Sequence, residues 1–80
     1  GDRVQLFKST KGKLALSIRS VWDTPYDANH FYKCYQAVIS KKYPDAVREV
    51  TNDGVTWKSS GQRAVIRLSG TQVDSLEEDL

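Results

Sequence analysis

"SVWDTPYDANHFYKCYQAVI", residues 20–39, holds a Trp, two Asp, a Pro, the only His and the only Cys of the chain. Two readings compete: an active site, or the point where a strand hands over to a helix. The spacing favours the second. Thr24 has the chemistry of an N-cap, Pro25 suits the first helical position, and Asp27 falls three residues after Thr24, the capping-box spacing with Asp in place of Glu. Ala28, Phe31, Tyr35 and Val38 then recur at steps of three and four, flanked by Tyr32 and Ile39, and predict one buried helical stripe. Lys41 and Lys42 suit the negative end of the helix, and Pro44 ends it.

Working outward, residues 3–8 alternate as a strand, 9–12 (STKG) form a polar turn, and 13–22 read as a second strand. Leu14, Leu16, Ile18, Ser20 and Trp22 share the core parity of that strand. After the helix, 46–51 and 55–58 flank Asn-Asp-Gly, a hairpin signal. Residues 63–68 predict a further strand with Ala64, Ile66 and Leu68 in phase. The last stretch, SGTQVDSLEEDL, is read as a short helix. Thr71 and Asp74 repeat the capping spacing, and Val73, Leu76 and Leu80 make a stripe. The expected fold is α+β, an antiparallel sheet of four to five strands with one long helix on one face, in the order ββαβββα.

Eighty residues make a single domain over 1–80 with one core, which buries only about 60% of the unfolded surface. Net charge is +2, from 12 basic and 10 acidic residues. That is far from the profile of a dedicated nucleic-acid binder, so nucleic acid is not the expected partner. Four of the ten acids sit in the last seven residues, which leaves residues 1–73 distinctly basic. One Cys forms no internal disulfide and does not decide the redox compartment. No apolar run is long enough to span a membrane. The chain opens without Met and is expected to be a C-terminal piece of a larger protein.

Each candidate site has a plainer structural reading. Asp23 and Asp27 could form an acid/base pair, but a helix N-terminus favours both as carboxylates, and capping is the expected role. His30 and Cys34 are four apart on one helical turn, a legal spacing for two metal ligands, yet zinc wants three or four and no other His or Cys exists. The same pair as base and nucleophile lacks an orienting group and oxyanion donors. No catalytic residue, metal or cofactor is therefore expected. The second face of the sheet carries Arg19 and Arg67 beside Val21 and Val65. Parity does not settle the side taken by Trp57. Its expected place is the core or packing at the sheet edge, and on the second face it would join Arg19 and Arg67 as a binding set. Being half apolar, that face is expected to pack on a sister domain of the same chain or on a second copy as a homodimer.

Gly1-Asp2-Arg3, the following hairpin, and Trp22, Asp23, Thr24, Pro25, Asp27, Ala28 and Phe31 form a "GDR…WDTPxDAxxF" pattern. It resembles the C-terminal module of uncharacterised bacterial and archaeal secreted or surface proteins that carry an upstream metallopeptidase-like domain. The resemblance covers the first 35 residues well and the rest by the order of elements. It implies an extracytoplasmic or cell-surface setting and a non-catalytic accessory domain, since the His-Glu-x-x-His motif of the upstream part is absent from this chain. Trp22, Asp23, Thr24, Pro25 and Asp27 are its helix-start motif, and Asp2 and Arg3 are expected to pair near it. The alternative is a small binding module for an anionic ligand, nucleic acid or glycan. An independent enzyme domain, with His30, Cys34 or Asp23 in a cleft, is the third reading.

Overall fold

The computed structural model describes the backbone of residues 2–8 and 14–79, and side chains from Ala15 to Asp79. The expected turn at 9–12, the pairing of Asp2 and Arg3, the packing of Leu14, and Leu80 lie outside the described residues. The elements are β1 (Asp2–Lys8), β2 (Leu14–Val21), α1 (Pro25–Lys42), β3 (Val47–Val50), β4 (Gly54–Lys58), β5 (Gln62–Ser69) and β6 (Gln72–Asp79). All strand pairs are antiparallel, in one sheet of order β1-β2-β6-β5-β4-β3.

The chain is thus α+β with one long helix on one face of an antiparallel sheet, as expected, but the order is ββαββββ. Residues 72–79 are a strand and not a helix, which makes six strands where four to five were expected. The reason is the turn before them. Gly70 has φ 59° and opens a two-residue loop between the paired Ser69 and Gln72, where a positive φ at the first loop position matches the twist of a hairpin. The burial that follows has period two: Val73, Ser75 and Glu77 are buried while their neighbours are half-exposed. A hairpin nucleated next to β5 outweighs a capping-box spacing on a segment too short to hold a helix alone.

The long helix begins as the sequence predicts. Thr24 Oγ1 accepts from the Asp27 N–H at 3.1 Å, and Pro25 occupies the first turn. At the far end the Tyr43 N–H donates to the Ile39 carbonyl, with Lys41 and Lys42 in the last turn. The stripe differs in one member. Ala28 and Ile39 are fully buried and Phe31, Tyr32 and Tyr35 pack on the core, while Val38 is 53% exposed. Ile39, eleven residues after Ala28 and four after Tyr35, keeps the stripe straight, and Val38 falls off its edge.

α1 carries the chain from β2 across the sheet to its far edge at β3. The meander β3-β4-β5-β6 then returns and inserts β6 against β2. The helix covers Val55, Trp57, Ala64, Ile66 and Val73, and these with Ala28 and Ile39 are the core. Trp57 is its largest member, 2% exposed, and its Nε1–H donates to Ser40 Oγ at 3.2 Å. Trp22 closes the other end: its ring sits 5.0 Å from that of Phe31, its Nε1–H donates to the buried Ser20 Oγ, and its backbone N–H donates to the Thr71 carbonyl. The helix-start motif therefore ties β2, α1 and the β5–β6 turn together.

Among the described residues, Gly54 is the one position where close approach in the sheet demands a glycine. A Cβ there would run into the carbonyl oxygen of Ile66 on β5. Gly54→Ala is expected to lower stability by about 1–3 kcal/mol, the range for overpacking a tight site, in urea unfolding. Gly61→Ala, with open space around it, serves as the control and should change stability little.

Candidate functional site

Directly opposed residues of an antiparallel sheet share a face, so the register defines what α1 leaves uncovered. Three rows cross that open face. One runs Arg19, Asp74, Arg67 over β2, β6 and β5. The next runs Ser17, Leu76, Val65, Thr56, Glu49. The third runs Ala15, Glu78, Arg63, Lys58, Val47. Two charged rows thus flank an apolar step made by Val65 and Leu76. The twist of the sheet turns this face into a shallow trough of about 480 Å³.

The two β6 acids of the trough are committed, while Glu49 on β3 is exposed and takes part in no ion pair among the described residues. Asp74 accepts from Arg19 Nε at 2.9 Å through one oxygen and from Gln72 Nε2 at 2.7 Å through the other. Glu78 pairs with Arg63, whose Nε is left buried without a hydrogen-bond partner. Among the described residues the ion pairs are Arg19–Asp74, Lys42–Glu77 and Arg63–Glu78; Arg67 and Lys58 take part in none. Both are exposed. Lys58 also stands directly opposite Arg63, and like charges so placed destabilise a strand pair. Among the described residues the face thus carries Arg19, Lys58, Arg63 and Arg67 against Glu49, Asp74 and Glu78, a small surplus of positive charge in which Arg67 and Lys58 have no ion-pair partner.

Arg19 and Arg67 lie on this face with Val65 and the 44%-exposed Val21, as the alternation predicts. Trp57 does not join them. It points to the helix side and is buried, so the set Arg19, Trp57 and Arg67 is not brought together. Lys58, Asp74 and Leu76 were missed as parts of the site. Their signal was the alternation Asp74, Leu76, Glu78, hidden by reading 72–79 as helical.

The other candidates lie elsewhere. Asp23 and Asp27 are exposed at the helix start. Cys34 Sγ is 3.7 Å from His30 Nε2 on the exposed side of α1, and among the described residues no three His, Cys, Asp or Glu side chains gather as a metal site. No described helix is long and apolar enough to cross a membrane.

A second polar cluster sits beneath the helix. Glu77 is 7% exposed, and one of its oxygens accepts from Tyr43 Oη at 2.7 Å and from Lys42 Nζ at 2.8 Å. Burial, reinforced by the hydrogen bond and the negative charge of Glu77, pushes the Tyr43 hydroxyl up to about 12. Its position, joining the end of α1 to β6, makes this cluster a clamp between helix and sheet.

The chain belongs to a family of domains of unknown function, DUF8575, whose model matches residues 1–78. No curated protein and no solved structure matches it.

Because Tyr43 holds its proton more tightly folded than unfolded, its contribution is fully present below pH 10 and is lost as pH rises towards 12. The fall in urea midpoint over that window should be clearly smaller in Tyr43→Phe. At neutral pH the same change should cost about 1 kcal/mol, the net worth of a hydrogen bond.

Proposed function

We propose that this domain is a non-catalytic accessory module of a larger, exported protein, and that it works by docking the open face of its sheet onto a protein surface. The observation that carries this reading is the face itself. The sheet side opposite the helix presents Arg67 and Lys58, which take part in no ion pair among the described residues, around a floor of Val65 and Leu76. Keeping like charges opposed and cations uncommitted costs stability, and a partner that supplies negative charge would recover it.

The exported setting rests on the resemblance of the "GDR…WDTPxDAxxF" pattern. On that reading any peptidase chemistry belongs to a metallopeptidase-like domain elsewhere in the parent protein. A sister domain with an acidic patch suits the face better than a second copy of this chain, because two such faces brought together would oppose their own positive surplus. Nucleic acid or glycan, the alternative, would meet the cations, but among the described residues no aromatic side chain lines the trough for stacking, and Trp57 is buried on the far side.

The reading is tested with polyglutamate, a heparin fragment and oligothymidylate, each titrated against the domain at low and high salt. At least one should bind at low salt and weaken strongly in Arg67→Glu and Lys58→Glu, while Lys33→Glu, on the exposed side of α1, changes little. Equal weakening by Lys33→Glu would reduce the effect to net charge and remove the open face as the docking surface.

A further inference from the structure

The open face of β5 presents Arg63, Val65 and Arg67 in alternate positions, a basic–apolar–basic series. At about 3.3 Å per residue its two cations stand roughly 13 Å apart along the strand. Lys58 adds a second cation beside Arg63, and Leu76 widens the apolar step beside Val65. A ligand matched to this surface carries an anion at each end of that span and an apolar group midway.

An extended peptide has that geometry, since its alternate side chains project to one side with the same repeat as the strand beneath it. The molecule holds an example of the match in β6. Asp74, Leu76 and Glu78 stand directly opposite Arg67, Val65 and Arg63, acid to base and apolar to apolar, and Arg63 closes its ion pair. β6 fills that complement only in the plane of the sheet. Above it, Arg67 and Lys58 remain without an ion pair among the described residues and the apolar step stays half-exposed.

We propose, resting on the docking reading above, that the trough binds an extended acidic peptide segment of the pattern acid-x-apolar-x-acid, laid along β5, with one carboxylate at Lys58 and Arg63, the other at Arg67, and the apolar side chain on Val65 and Leu76. A phosphate polymer fits less well. Its charges repeat more closely than the cations do, and it offers no aliphatic group to the step between them. The pattern requirement separates this site from a general attraction for polyanions. Order along the segment matters as well as charge.

The test is fluorescence anisotropy with the labelled peptide TETLTET, its rearrangement EETTTLT, and the basic version TKTLTKT, beside oligothymidylate and a heparin fragment. TETLTET should bind with salt-sensitive affinity. It should bind about ten-fold more tightly than EETTTLT, and Lys58→Glu with Arg67→Glu should abolish it. Arg67→Gln, a milder change at an exposed position, should weaken it by several-fold in a protein whose thermal midpoint is unchanged. TKTLTKT should not bind. Equal affinity for TETLTET and EETTTLT would overturn the pattern. Binding of heparin or oligothymidylate through Arg67 and Lys58 without TETLTET would overturn the peptide assignment and leave the docking face standing. No dependence of any probe on Arg67 or Lys58 would overturn both.

Discussion

The insertion of β6 between β2 and β5 is the constraint on which the rest of the structure depends. Without it, the β1–β2 hairpin and the β3–β4–β5 meander would be two separate pieces joined only by α1. With it, every backbone group in the middle of the sheet finds a partner, and the helix has a continuous surface to cover. β6 also sets the chemistry of both faces. Val73 completes the core and Glu77 anchors the end of the helix through Tyr43 and Lys42. Asp74 and Glu78 reach the other face and tie down Arg19 and Arg63.

The two faces divide the work. Under the helix, a small core holds its shape with few large residues, and most of its polar side chains are satisfied locally, the buried Ser75 Oγ excepted. Trp57 donates to Ser40, Trp22 to Ser20, and Tyr43 to Glu77. Arg48 donates to Gln36 on the helix and lies over the Trp57 ring, which draws the short edge strand β3 down onto α1. On the open face the pairing is partial: Arg19–Asp74 and Arg63–Glu78 close, while Arg67 and Lys58 have no ion pair among the described residues. Its cations are more numerous than the acids that reach them, and this unfinished pairing is what gives the face its proposed role.

The legible part of the sequence was the part governed by local chemistry. Thr24, Pro25 and Asp27 fix the helix start wherever the helix packs, and Asn-Asp-Gly fixes the β3–β4 hairpin without help from the core. Ser20 on the core parity of β2, and Arg19, Arg67 and Val65 on the other face, followed from simple alternation. The final segment was not legible in the same way, because two local signals conflict. Thr71 and Asp74 have capping spacing, while Gly70-Thr71 has hairpin-loop chemistry. Only the place left for a strand between β2 and β5 decides the matter, and that is a tertiary fact. Misreading it hid the acid–apolar–acid series of β6 and, with it, the charge pattern of the open face. The buried Glu77 was hidden for the same reason, since on a helix it falls outside the stripe of Val73, Leu76 and Leu80.

The most direct test of this account is the NMR pairing and amide exchange of residues 72–79. The account predicts cross-strand contacts between the Hα atoms of β6 and those of both β2 and β5, and amide protection in β6 that approaches the global stability of the domain. Sequential helical contacts in that segment, or amides there that exchange as fast as those of an open chain end, would contradict it and would dissolve the open face with it.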